Sequence, residues 1–165
     1  MTVPVIVICG ATATGKSDLA VALARKIDGE IINADSMQLY KGMDIGTAKL
    51  TFEERGGITH YLIDRLEITE EASVAQYQVE ARAIIDSATK PMVIVGGTGL
   101  YIKSIIDELN FPDTDPRVRD RLSKEGEELG AAVMHERLSK LDPAAAKAIP
   151  MENLRRVVRA LEVIE

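Results

Sequence analysis

The sequence predicts an α/β protein: a parallel sheet with flanking helices and a small helical insertion. Three observations carry this. An apolar, β-branched run from Val3 to Cys9 leads directly into Gly10-Ala11-Thr12-Ala13-Thr14-Gly15-Lys16-Ser17, and from there into an Ala/Leu-rich run from Asp18 to Ala24. Strand-like and helix-like runs then alternate to about residue 109, the order that builds a parallel sheet through helical crossovers. From Phe111 onward the chain becomes charged and helical, with few large apolar residues.

Residues 10 to 17 fit the pattern G-x-x-x-x-G-K-[ST]. In such a loop glycines let backbone N–H groups converge on phosphate oxygens, the lysine adds a cation, and the hydroxyl ligates Mg²⁺. With Gly at about 7 % of residues, the pattern arises by chance in roughly one chain of this length in two hundred. The strand before it and the helix after it lower those odds further, so the core is P-loop NTPase-like. The alternative, a plain strand–helix turn that contains glycine, leaves Lys16 without a reason.

After the first helix, Asp28-Gly29 is a turn signal and Glu30-Ile31-Ile32-Asn33 a short second strand that ends at Ala34-Asp35-Ser36. Loops at the carboxyl ends of neighbouring parallel strands share one crevice, so Asp35 is placed to face whatever the phosphate loop holds. Position alone equally allows Asp35 to be a cap for the next segment. Residues 37 to 57 carry four glycines without an apolar period, which reads as a long loop with short helical pieces, a frequent home of functional residues. Thr59 to Asp64 reads as a third strand. Asp64 at its exit is either a magnesium-holding carboxylate of the Walker-B kind or an ordinary strand end.

Ser73-Val74-Ala75-Gln76 has capping-box form, and Val74, Tyr77, Ala81, Ile84 and Ile85 keep helical spacing to about Ala88. Lys90-Pro91 then opens a fourth strand, Met92 to Val95, running into Gly96-Gly97-Thr98-Gly99 and a helix from Leu100 to Leu109. This second Gly-rich loop lacks a lysine, but it should open on the same crevice with Thr98 at its tip. Asp115-Pro116 starts a charged helix that runs to about Gly130, and Asp142-Pro143 starts a shorter one ending near Pro150. Leu154, Val157, Val158, Leu161 and Ile164 form a final helical stripe. Arg155, Arg156 and Arg159 lie off that stripe, as a solvated basic face or a phosphate-contacting one.

Composition bounds the function. The 165 residues are 46 % hydrophobic and 28 % charged, enough for one ordinary core and a small appendage in a soluble chain. A net charge of −6 argues against non-specific nucleic-acid binding by the surface as a whole. The opening apolar run is too short for a membrane span or a secretory signal, so the expectation is a cytoplasmic protein with no membrane partner. Cys9, the single cysteine, excludes an intrachain disulfide. His60 and His135 are far apart in sequence, which makes a protein-only zinc site improbable.

Taken together, GATATGKS, IINADSMQLYKGMDIGTAK, THYLID, VGGTGLYIKSIID, DPRVRDRL and RRVVRALEV resemble the bacterial tRNA dimethylallyltransferases, over essentially all 165 residues. The first motif is shared by many nucleotide-binding proteins; the second and fourth together are specific. The resemblance implies transfer of a dimethylallyl group from dimethylallyl diphosphate to the exocyclic amine of the adenine 3′ of the anticodon, with Mg²⁺. Gly10, Ala11, Thr12, Ala13, Thr14, Gly15, Lys16 and Ser17 would grip the diphosphate, with Ser17 as the metal ligand. Asp35, Lys16 and Thr98 would be catalytic, Asp35 as the base that orients the amine and takes its proton. Contacts to tRNA would fall on Asp35, Ser36, Met37, Gln38, Thr98, Arg119, Arg155, Arg156, Val157, Val158 and Arg159.

By the same resemblance residues 1–111 are the P-loop core, 112–150 a helical insertion reaching the anticodon stem-loop, and 151–165 a helix returning to the core. Family members continue for roughly another domain's length. That implies a further strand beyond Glu165, beside the fourth, whose edge and the final apolar stripe would otherwise be bare; the full-length protein would be a monomer. His60-Tyr61 departs from the two histidines more usual there. Two other classes compete: a P-loop enzyme on a small nucleotide, either an adenylate prenyltransferase or a small-molecule kinase, and an inactive partial chain that binds phosphates. A kinase should bring lid arginines and a Walker-B aspartate, whereas an adenylate prenyltransferase has no need of Arg119 or an RNA-reaching arm.

Overall fold

The computed structural model describes residues 3–112 and 115–165; the parts of the expected core and insertion at 1, 2, 113 and 114 lie outside them. The chain divides into two compact units, Met1–Leu109 and Asn110–Glu165.

The first unit is built on four parallel strands, β1 (Val5–Cys9), β2 (Glu30–Asn33), β3 (His60–Tyr61) and β4 (Met92–Gly96), in the order β1-β4-β2-β3. Helices α1 (Lys16–Ile27), α2 (Val74–Ser87) and α3 (Gly99–Ile106) complete it. Strand alternation divides the core into two layers. Ile32, Met92 and Ile94 point to the side covered by α2 and α3, where Tyr77 and Tyr101 stack with ring centroids 4.3 Å apart. Ile31, Val93 and Val95 point to the other, against Ala20, Val21 and Ala24 of α1.

β4 is buried along its whole length because it has a neighbour on each side: Val93 is in register with Ile6 of β1 and with Ile31 of β2. This corrects the expectation that β4 presents a bare edge. Among the described residues it is β1 and the two-residue β3 that pair on one side only. β3 is also shorter than the run from Thr59 to Asp64, because Leu62 (φ 58°) and Asp64 (φ 55°) leave extended geometry. Ser73 caps α2 as its sequence signature predicts, its side chain accepting from the Gln76 N–H. α3 stops at Ile106, three residues before the expected end.

The second unit comprises α4 (Pro116–Leu129), α5 (Ala131–Leu141), α6 (Pro143–Ala148) and α7 (Leu154–Ile164). Its core is Leu122, Met134, Leu138, Ala146, Val157, Val158 and Leu161. α7 packs within this unit, where Leu154, Val157, Val158 and Leu161 of its stripe are covered while Ile164 stays exposed. α4 comes so close to α7 that a Cβ on Gly126 would lie 2.8 Å from a methyl of Leu154. Arg121 and Arg137 each pair with both Glu125 and Glu165, an alternating ring of charges that ties α4, α5 and the end of α7. No helix among the described residues is long and apolar enough to cross a membrane.

Candidate functional site

The carboxyl ends of β1, β2 and β4 open on one crevice of about 370 Å³ in the first unit. Thr12 to Ser17, Asp35, Gln38, Gly96 and Gly97 line it, joined by Asp18, Asn33, Val95 and a wall formed by Thr47, Ala48 and Leu50. Parts of the two Gly-rich loops thus meet Asp35 on one crevice, whereas Gly10, Ala11 and Thr98, also expected at the site, are not among the residues that line it. Val157 and Val158, expected among the RNA contacts, are buried in the core of the helical unit, so their side chains face away from any partner. Arg155 and Arg156 are exposed beside them.

The phosphate loop turns through Ala13 (φ 60°) and Gly15 (φ 76°), left-handed positions that bring the chain round into α1. Lys16 and Ser17 fall in the first turn of that helix, where unpaired N–H groups and the positive end of the helix dipole favour an anion. Lys16 donates to the Ala11 carbonyl, and Thr14 Oγ1 donates to the same oxygen at 2.9 Å. The lysine is thus held at the rim of the loop.

Asp35 turns out to serve both readings left open by position. Its Oδ1 accepts from the Met37 N–H at 3.0 Å, capping the 3₁₀ turn Ser36–Leu39, and it also lines the crevice. The residue that sequence reasoning passed over is Asn33. Buried at the end of β2, it accepts from the Asp35 N–H at 3.0 Å, donates to the Asp35 carbonyl at 2.9 Å and donates to the Leu62 carbonyl at 2.8 Å. Its own carbonyl accepts from the Tyr77 hydroxyl at 2.9 Å. A polar residue closing an otherwise apolar strand is the signal that would have found it.

Gly96 is demanded by close approach: a Cβ there would lie 2.2 Å from the carbonyl of Ala34. The two strand ends meet through Ala34 N–H to Val95 O at 2.7 Å and Thr98 N–H to Ala34 O at 3.1 Å. Thr98 Oγ1 accepts from the Ser36 N–H at 3.1 Å. The Thr98 hydroxyl therefore clamps the Asp35-Ser36 segment to the start of α3.

The wall at 47–50 is anchored by Lys49, whose side chain is 2 % exposed. Its ammonium donates to Tyr40 O at 2.7 Å, Asp64 Oδ1 at 2.6 Å and Asp44 Oδ1 at 2.8 Å, which uses all three of its donors. Burial opposes the charge on Lys49, but the hydrogen bonds to Asp44 and Asp64 outweigh it and raise its pKa. Arg55 also approaches Asp64, at 3.7 Å. Asp64 is thus committed to Lys49 and Arg55 and does not line the crevice, which favours the strand-end reading over the Walker-B one. Gln38 Nε2 donates to Thr47 O at 2.9 Å and fastens the wall to the Asp35 turn.

Comparison with known proteins places this arrangement. Residues 38–165 match the family model described as IPP transferase. The chain is 58 % identical to a tRNA dimethylallyltransferase of Thermobifida fusca, an alignment covering 98 % of this chain and 53 % of that protein. It is similar to the solved tRNA isopentenylpyrophosphate transferase of Bacillus halodurans, with TM-score 0.64 and 44 % identity over 98 % of this chain and 55 % of that one. It is similar also to a eukaryotic dimethylallyltransferase acting on tRNA, with TM-score 0.82 and 33 % identity over 98 % of this chain and 41 % of that one. The chain spans about half the length of the curated relatives it matches.

Proposed function

Because the chain belongs to the IPP transferase family, we propose that it carries the donor-binding and amine-activating part of a tRNA dimethylallyltransferase. The observation that supports this most is the meeting of Lys16 and Ser17 with Asp35 on one crevice. In the reaction the allylic C–O bond of dimethylallyl diphosphate breaks and diphosphate leaves with the electron pair. A C–N bond forms from the exocyclic N6 of adenine, and the proton on that nitrogen must depart.

Each residue type matches a demand of that step. Charge gathers on the departing diphosphate, where the loop N–H groups and Lys16 stabilise it. Asp35 accepts a hydrogen bond from the adenine amine, orients it toward carbon and takes its proton. Thr98, through Ser36, keeps the Asp35 turn in place. The crevice offers the Ser17 hydroxyl and the Asp18 and Asp35 carboxylates, all hard oxygen donors. Among the described residues no group of three His, Cys, Asp or Glu could hold a metal unaided. Such a set suits Mg²⁺ taken up together with a diphosphate, with Ser17 as its protein ligand, supplying charge neutralisation to the leaving group.

The acceptor is the adenine 3′ of the anticodon, presented in a single-stranded loop from which a base reaches a crevice at modest cost. Arg119, Arg155, Arg156 and Arg159 of the helical unit meet the RNA backbone of the stem-loop. A small-molecule kinase fits less well, since Asp64 is held by Lys49 and Arg55. The test is a transfer assay with labelled dimethylallyl diphosphate, offering an anticodon stem-loop, AMP and ATP in parallel. Label in the RNA alone is expected; label in AMP, or phosphoryl transfer from ATP, overturns the reading.

A further inference from the structure

Two arginines of the helical unit converge on one buried carboxylate. Glu162 of α7 has a side chain only 1 % exposed, and its Oε2 takes Arg119 of α4 through Nε and Nη2, each at 3.0 Å. The same oxygen takes Nη1 of Arg159, one turn back along α7, at 3.0 Å. Arg159 is further held by donation from Nη2 to the Pro112 carbonyl at 2.8 Å. The other oxygen of Glu162, Oε1, is buried with no hydrogen-bond partner among the described residues.

As a stabilising device this is a poor design. A buried ion pair seldom outperforms apolar packing, and a buried oxygen left unsatisfied is a further cost. What the arrangement achieves is geometric. It fixes two long, flexible cations from two helices on one carboxylate, while their side chains stay 40 % and 32 % exposed. A guanidinium has five N–H donors, and Arg119 gives its Nε–H to Glu162 with Nη2 in ion-pair contact, leaving others for an outside anion. Exposed Arg155 and Arg156 extend the basic surface along α7.

We propose that Glu162 is a positioning residue that sets Arg119 and Arg159 as a rigid fork for the phosphodiester backbone of RNA. The inference rests on the RNA-binding reading above and adds a residue that touches no RNA itself. Fixed guanidiniums lose less freedom on meeting a phosphate than solvated ones, so their contacts are gained at lower cost.

The charge change gives a sharp test. Glu162→Gln makes the unit more positive by one, so a surface that attracts RNA only through its charge should bind more tightly, with a steeper salt dependence. Positioning requires the opposite: binding of a labelled anticodon stem-loop weaker by about fivefold or more, with a shallower salt slope. Arg119→Lys and Arg159→Lys keep the charge but lose the fork, and each should weaken binding similarly. Glu162→Gln binding as tightly as wild type, or more so, overturns the inference. If Glu162→Gln does not fold by circular dichroism, the two lysine variants decide, and wild-type affinity in both overturns it. A wild-type chain with no salt-dependent RNA binding overturns the RNA reading itself and the inference with it.

Discussion

The side chain of Asn33 brackets the backbone of Asp35, accepting from its N–H at 3.0 Å and donating to its carbonyl at 2.9 Å. The carboxylate proposed as the base is thereby presented by a turn that a buried amide holds from behind. Asp35→Asn keeps the shape and removes the proton acceptor, so prenyl transfer should fall by about two orders of magnitude with diphosphate affinity nearly unchanged. Asn33→Ala should lower transfer as well and destabilise the fold by about 1–3 kcal/mol, because buried partners lose their hydrogen bonds. More than half of normal turnover in Asp35→Asn would return Asp35 to a capping role alone.

Lys16 and Ser17 open α1 within the crevice. Replacing Lys16 by Ala should weaken binding of dimethylallyl diphosphate by about 2 kcal/mol, the worth of a hydrogen bond to a charged group. Ser17→Ala should raise the Mg²⁺ concentration needed for the same binding. Calorimetry that finds both variants unchanged would remove the diphosphate from this loop.

What the sequence makes legible follows the range of the interactions involved. The strand, loop and first helix around residues 5–27 are written in neighbouring residues and appear where expected. Strand order is not local. The pairing of β4 with both β1 and β2 joins segments some sixty to ninety residues apart, and family resemblance put the bare edge on the wrong strand. The shortness of β3 depends on positive φ at Leu62, which its side chain does not foretell, and at Asp64, a residue type that tolerates the left-handed region. α5 hides because only Met134 and Leu138 of its apolar residues are buried, while Val133 and Leu141 are exposed and blur the helical stripe. Asn33 and Lys49 gain their roles from partners distant in sequence, Leu62 for one and Asp64 for the other.

Lys49 anchors the 47–50 wall by three contacts, so its loss should be felt in both stability and shape. Breaking a fully buried pair costs about 3–5 kcal/mol, but Asp44 and Asp64 are 59 % and 40 % exposed and can rehydrate. Lys49→Met should therefore destabilise by about 2 kcal/mol, measured by urea unfolding. Lys49→Arg should not restore it, since a planar fork cannot reach three acceptors arranged around a point. Full recovery in Lys49→Arg would show that charge alone is required.

His60 in β3 supplies a pH dependence with a defined sign. Burial pushes its pKa below the usual 6.5, against the pull of its hydrogen bond to the Ile58 carbonyl, and nearby Arg55 adds to the lowering. The unfolded chain then binds the proton more readily than the folded one. This contribution to stability is complete above 6.5 and is lost as pH falls toward the lower folded value. His60→Gln lacks this term, so wild type should lose ground to the variant as pH drops from about 7.5 to about 5. Urea unfolding of both across that range checks it; a constant difference would mean the ring is not held neutral.

β1 is the longer of the two edge strands of the sheet, five residues against the two of β3. Among the described residues it pairs only with β4, and Val5 and Cys9 at its two ends are exposed. A parallel strand of sequence Val-Ile-Val-Ile-Cys, with no charge and no bulge, is a template for pairing with another strand. Purified alone in reductant, which keeps the Cys9 thiol from cross-linking, the 165-residue chain should self-associate reversibly. Its sedimentation coefficient should rise with concentration. Val5→Lys places a charge on that edge without touching the buried layers, and should shift the chain toward monomer. A wild-type chain that sediments as a monomer at every concentration would show that the β1 edge is not a pairing surface; association left unchanged by Val5→Lys would move the contact elsewhere.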